Sequence, residues 1–221
     1  MIFDPELFLQ TAALGFTTLF AIIDPIGNAA IFAGMTPHNT AAERRKMALK
    51  GTIIASLILL IFMLLGKVFL ERLGISLAAL RTAGGILLLL LGIDMVFARH
   101  SGGTTTTRDE VSEARRKEDI SVFPLASPLI AGPGSIGVGI LLMAGTEGDL
   151  TRQTAVIAAM LILMVVTYLL LLIASQIERV LGVTGLNVIN RTLGILITAL
   201  AVQFMFDGIA ESGLLDSGPP G

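Results

Sequence analysis

Apolar residues run through this chain in long blocks, and polar residues gather in the short gaps between them. "IIASLILLIFMLLG" (Ile53 to Gly66) and "AVIAAMLILMVVTYLLLLIA" (Ala155 to Ala174) carry no charge at all. About 20 such residues, rising 1.5 Å each as a helix, cross the hydrocarbon core of a bilayer. The pattern predicts six spans, at roughly 7–35, 51–70, 77–98, 122–145, 153–175 and 185–209. The longest polar stretch, Arg99 to Ser121, mixes Thr, Gly and charges of both signs, which predicts a flexible linker. The expected organisation is therefore a first three-span unit over 1–98, a linker over 99–121, a second three-span unit over 122–210 and a tail over 211–221.

The two units resemble each other. "LGIS" at Leu73–Ser76 returns as "LGVT" at Leu181–Thr184, and "RTAGGILLL" from Arg81 returns as "RTLGILIT" from Arg191. Arg44 matches Arg152 and Pro25 matches Pro133, all at offsets of 108 to 110 residues. One match between apolar segments means little, but four in order at nearly one offset imply duplication. Three spans per unit is an odd number, so the second unit enters the membrane from the opposite side. The expected fold is an all-α integral membrane protein built of two inverted three-helix repeats, an arrangement common in secondary transporters.

Lys and Arg predict the orientation. With the N-terminus outside, Arg44, Arg45, Lys46, Lys50, Arg99, Arg108, Arg115, Arg116, Lys117, Arg179 and Arg191 fall inside. Only Lys67, Arg72, Arg81 and Arg152 fall outside. The excess of inside cations places both termini outside and the linker in the cytoplasm.

Two oily segments contain residues that suit a helix poorly. "DPIGN" (Asp24 to Asn28) interrupts span 1, and "SPLIAGPGSIGVG" (Ser127 to Gly139) interrupts span 4. Pro lacks an N–H, Gly weakens a helix, and Asp and Asn are polar in an apolar setting. A lone Pro more often marks a kink, but two such motifs at equivalent positions favour two discontinuous spans. Each motif places Pro and Gly before a residue that caps helices well, Asn28 or Ser135. The expected half-helices start near those caps, with non-helical backbone around Pro25–Gly27 and Gly132–Gly134. In an inverted pair their N-termini meet near the midplane, where free N–H groups and helix dipoles favour an anion. The expected substrate-binding set is Asp24, Pro25, Gly27, Asn28, Ala29, Gly132, Pro133, Gly134 and Ser135, in a space kept small by Ala and Gly.

Composition narrows the classes. Hydrophobic residues make up 54% of the 221 positions and charged residues only 14%, against about 25% charged in soluble domains. Without Cys there is no thiol chemistry. The net charge of −2 offers nothing to nucleic acid. The start, "MIFDPELFLQ", has no basic n-region, so no cleaved signal peptide is expected. His38 and His100 lie in loops, and no HExxH metal motif, nucleotide-binding GxxxxGK[ST] loop or Ser–His pair appears in the spans. No cofactor is expected, and an intramembrane enzyme is the least favoured class.

The motifs "DPIGN", "PLASPLIAGPGSI" (Pro124–Ile136), "RTAGGILLLLLGIDM" (Arg81–Met95) and "NRTLGILITALAVQF" (Asn190–Phe204) resemble the MarC/SnatA family of bacterial and archaeal inner-membrane proteins. The resemblance runs from Phe8 to about Ile209. It implies six spans and, for the family's characterised transporters, movement of small neutral amino acids such as glycine and alanine. It fixes neither substrate nor direction.

Further polar residues are candidates for coupling or gating. Asp24, beside the break, could meet a substrate ammonium, carry a coupling proton or cap backbone. Asp94 is a second intramembrane acid, although near a span end. Arg81 and Arg191 open spans 3 and 6 and either pair with an acid or snorkel to the interface. Asn190 and Gln203 line a path or hold helices together, and Gly84, Gly85 and Gly194 permit close packing. "ERRKMALK" (Glu43 to Lys50) reads as a solvated basic lead-in to span 2. Secondary active transport by alternating access leads, driven by a proton or other ion or by exchange. A channel or exporter for other small solutes through a midplane pore is the alternative.

Overall fold

The computed structural model describes residues 4–97 and 119–213, and among these there are helices and no strands. The expected linker falls almost wholly outside the described residues. The helices are α1 (Pro5–Ile23), α2 (Pro25–Met35), α3 (Ala41–Arg72), α4 (Leu77–Phe97), α5 (Pro133–Ala144), α6 (Leu150–Leu172) and α7 (Ala174–Glu211). A wide-turned segment, Ser121–Ile130, precedes α5. Five helical stretches are long and apolar enough to cross a bilayer, or six if Ser121–Ile130 and α5 form one bent span. Exposed Leu57, Ile61, Leu64 and Phe69 on α3 face away from buried Leu59 and Met63, a division that suits a helix with one side in acyl chains.

Helix starts follow local chemistry. Asp4 caps α1 by accepting from the N–H groups of Glu6 and Leu7, at 3.0 and 3.1 Å, with Pro5 in the first turn. Thr40 and Glu43 form a reciprocal capping box at the head of α3. That cap corrects one boundary. The basic stretch Glu43–Lys50 is the first part of α3 rather than a loop before it, because the cap lies at Thr40 and nothing breaks the helix until Arg72. Span 6 likewise belongs to a longer helix, α7, bent at Gly182, whose φ of 57° suits a residue without Cβ.

Packing crosses between the two halves of the chain. α6 lies along α1 and α2, where a Cβ on Gly15 would meet Ala159 Cβ at 3.5 Å. α3 lies along Ser121–Ile130 and α5, with Gly51 against Ser121 O and Gly139 against Met63. Each half thus lays its second span against the interrupted first span of the other.

The tightest seam joins α4 and α7. A Cβ on Gly85 would stand 2.7 Å from Ala201 O, and one on Gly92 would stand 2.9 Å from Thr198 N. One on Gly208 would stand 2.8 Å from Ala78 O. Rising numbers on α4 meet falling numbers on α7, so the two helices run antiparallel. Gly85 and Gly194 pack as the spacing predicts. Gly84 does not, since a Cβ there would meet nothing within 4 Å.

Candidate functional site

The first break is a single residue. Asp24 adopts left-handed backbone (φ 46°, ψ 67°), closing α1 through its N–H to Phe20 O at 3.0 Å and opening α2 as its N-cap. The residue before Pro is disfavoured in right-handed helical space, and Asp tolerates the left-handed region better than most. Asp24 Oδ1 accepts from Gly27 N–H at 3.0 Å, and Asp24 O accepts from Asn28 N–H at 2.9 Å. The start of α2 therefore already carries a carboxylate.

The second break is longer. Phe123 and Ser127 are extended within Ser121–Ile130, and Ala131 and Gly132 are non-helical. The chain turns by 56° before α5. Gly132 is the N-cap and offers no side chain, and Pro133 has no N–H. Ile136 N–H reaches Gly132 O at 3.0 Å to close the turn. The N–H groups of Gly134 and Ser135 are left as the donors at this helix start.

Asn28 and Ser135 do not act as the expected caps. Both lie inside the first turns, and both donate backward. Asn28 Nδ2 reaches Ile23 O at 2.7 Å, and Ser135 Oγ reaches Ile130 O at 2.8 Å and Gly132 O at 3.0 Å. Each side chain satisfies a carbonyl that its break released, five residues upstream. The capping position moves to Asp24 and Gly132 because Pro takes the first helical position in both. Accordingly Pro25–Gly27 and Pro133–Gly134 are helical, and the irregular backbone precedes them.

The breaks touch. Asn28 Nδ2 also approaches Leu129 O at 3.4 Å, and a Cβ on Gly134 would stand 3.5 Å from Ile22 Cγ2. Pro25, Gly27, Asn28, Ala29 and Ser135 are buried, while Asp24 and Gly134 are half-buried. Among the cavities, those at the two ends of the bundle have walls that contain none of Asp24, Asn28 or Ser135.

The remaining candidates separate. Asp94 is buried on α4. Arg81 pairs with Glu211 and, with Arg152 and Asp207, walls a cavity of about 430 Å³ beside the start of α1. Gln203 faces outward and donates to Asp207 Oδ1 at 2.7 Å on its own helix. Arg191 is exposed, and Asn190 keeps a buried Oδ1 without a hydrogen-bond partner among the described residues. Glu211, expected in the tail, closes α7 and holds Arg81. Sequence reasoning passed over Arg44, which lines a cavity at the opposite end; its match to cavity-lining Arg152 was the available signal.

A helical bundle with lipid-suited faces and polar groups held at interrupted spans defines a multi-span integral membrane protein. The profile of the MarC family integral membrane proteins matches residues 9–212, and the chain belongs to that family. It is 39% identical over 201 residues to a UPF0056 membrane protein of Methanocaldococcus jannaschii, covering 91% of this chain and 97% of the relative. It is 36% identical to YvbG of Bacillus subtilis (88% and 92% covered) and 36% identical to YhcE of Escherichia coli (88% and 89% covered). Both are named as UPF0056 membrane proteins. No solved structure matches the chain.

Proposed function

We propose that this chain is a secondary transporter of small neutral amino acids, of the glycine and alanine class, working by alternating access. The observation that carries the reading is the unequal pair of adjacent helix starts. α2 begins with the Asp24 carboxylate, and α5 begins with uncapped N–H groups at Gly134 and Ser135. A zwitterion complements both. Its ammonium meets Asp24, and its carboxylate meets the N-terminus of α5, where the helix dipole favours negative charge. This divides the roles between the two breaks, since a second carboxylate beside Asp24 at α2 would be repelled.

Burial of Asn28 and Ser135, beside half-buried Asp24 and Gly134 and exposed Pro133, corresponds, in this reading, to a partly occluded conformation, with the site opened alternately to each side. The site would be small, because Ala29, Gly27 and Gly134 flank it. Two inverted three-span repeats, over 1–98 and 122–210, supply the two half-sites, and the antiparallel α4–α7 pair supports that arrangement. Both termini lie outside and the 99–121 linker lies in the cytoplasm of the bacterial or archaeal cell. Asp24 and Asp94 are the candidate carriers of a coupling proton.

Competition in proteoliposomes tests the substrate reading. Glycine and alanine should compete for uptake, whereas methylamine, ethylamine, acetate and propionate should compete poorly, because each lacks one charge. Amines competing as well as the amino acids would remove the α5 contact. Flux that never saturates and shows no counterflow would make the protein a channel. For orientation, cysteines introduced at Thr105 and Ser217 in this Cys-free chain should label from opposite sides with an impermeant reagent.

A further inference from the structure

We infer that the cavity between the end of α2, the head of α3 and the α6–α7 junction is an oxyanion site, shaped for the phosphate of an anionic phospholipid. The cavity holds about 310 Å³, and its wall includes Arg44 and Arg45 from the head of α3 and Leu171, Leu172, Ser175 and Gln176 from the α6–α7 junction. No acidic residue is in its wall among the described residues.

Arg44 is the centre of the argument. One terminal nitrogen, Nη1, donates to Ser175 Oγ, which holds the guanidinium in place. Its Nε is buried and has no hydrogen-bond partner among the described residues. A buried donor left unmade costs about 1–3 kcal/mol, and a guanidinium presents its donors in a planar fork that matches an oxyanion. The three ion pairs among the described residues involve Lys50, Lys67 and Arg81, so neither Arg44 nor Arg45 has its charge met by one.

Position argues for a lipid. The cavity lies where membrane-crossing helices end, and its wall combines two cations from the head of α3 with Phe32 from α2 and Leu171 and Leu172 from the end of α6. A phospholipid has that same division, with phosphate above acyl chain. Basic pockets between spans at the membrane surface commonly take anionic headgroups.

The test uses the purified full-length protein in uncharged detergent, with thermal unfolding as the readout. Phosphatidylglycerol, phosphatidylcholine and inorganic phosphate are titrated separately at fixed ionic strength. Phosphatidylglycerol should raise the midpoint in the wild type and in Arg72→Gln, which alters an exposed cation at the far end of α3 from the cavity. Arg44→Gln should need about tenfold more of it for the same shift. Arg44→Lys keeps the charge without the fork and should fall between, which keeps the test valid if Arg44→Gln folds poorly. An Arg44-dependent shift with inorganic phosphate, and no further gain from phosphatidylglycerol, would keep the oxyanion site and make its source a free anion. No shift in the wild type with any of the three, or an equal shift in Arg44→Gln and wild type, would overturn the site.

Discussion

Asn28 and Leu129 lie 101 residues apart in the chain, yet the Asn28 amide reaches the Leu129 carbonyl at 3.4 Å while also holding Ile23 O at 2.7 Å. One side chain thereby serves released carbonyls from both interrupted spans. In an apolar surround such carbonyls have no water to turn to.

Replacing Asn28 by Ala should therefore destabilise the protein by about 1–3 kcal/mol, because two buried carbonyls lose a donor. Ser135→Ala should cost less, about 1 kcal/mol, since Oγ divides one proton between two local acceptors. Thermal unfolding in detergent measures both. Equal, negligible losses would mean that neither amide nor hydroxyl supports its break.

Asp24 combines a cap with the proposed ammonium contact, and two substitutions separate these. Asp24→Asn keeps an oxygen for Gly27 N–H and should fold nearly as well as the wild type. Its affinity for glycine should fall by about tenfold or more with the loss of charge. Binding measured by calorimetry beside a melting curve distinguishes the roles, and unchanged affinity would remove Asp24 from the site.

Gly27→Ala should be poorly tolerated for a related reason. A Cβ at that position would stand 2.8 Å from Asp24 Cγ, so the capping carboxylate would have to leave. Loss of glycine binding with Gly27→Ala but not with Gly137→Ala, where a Cβ meets nothing within 4 Å, is the expected contrast.

Along the α4–α7 seam, Gly92→Val should cost about 1–3 kcal/mol or more, because the backbone atoms Thr198 N and Gly194 O lie within 3.0 Å of an added Cβ and cannot move aside as the Thr198 side chain could. Gly84→Ala, one helical face away and with open room, should be neutral or slightly stabilising. Chemical denaturation of both variants in the same detergent would expose any error in the seam.

Outside the spans, hydrogen bonds from Lys50 and Ser121 pull the Asp119 carboxyl down from 3.8 to about 2. A depressed acid stabilises the folded state above its unfolded value and loses that contribution as pH falls through its folded value. The wild type should thus lose a small advantage over Lys50→Gln between pH about 4 and 2. The effect stays small because Lys50 and Asp119 are each 48% exposed. A wild-type advantage that persists undiminished to pH 2 would exclude this pair as its source.

Much of the bundle was legible from apolar runs, because a helix in lipid must satisfy its backbone within itself. The existence of two breaks was legible from Pro25, Gly27, Pro133 and Gly134. Their exact placement followed from a rule that favours Pro in the first helical turn, which makes Asp24 and Gly132 the caps; reading Asn28 and Ser135 as caps gave weight to residue type over position. The fates of Gln203 and Arg81 were not legible. Which face of α7 turns outward, and whether Glu211 comes back to α4, depend on contacts between residues 130 apart. The partial burial of Arg44 was hidden for the same reason, since a basic run beside a span reads as solvated until another helix covers it.

The glycine seam also limits how the protein can move. α4 and α7 approach closely at Gly85, Gly92 and Gly208, where an added Cβ would meet backbone (Ala201 O, Thr198 N, Ala78 O) as well as the side chains of Met205, Thr198 and Thr82. Close-packed contacts of this kind resist translation but tolerate a small roll. Any motion that exposes the two helix starts to one face and then the other would have to swing about this line, as a door does about its post. In the proposed transport cycle the seam would then be the axle, and the distance across it should stay nearly constant.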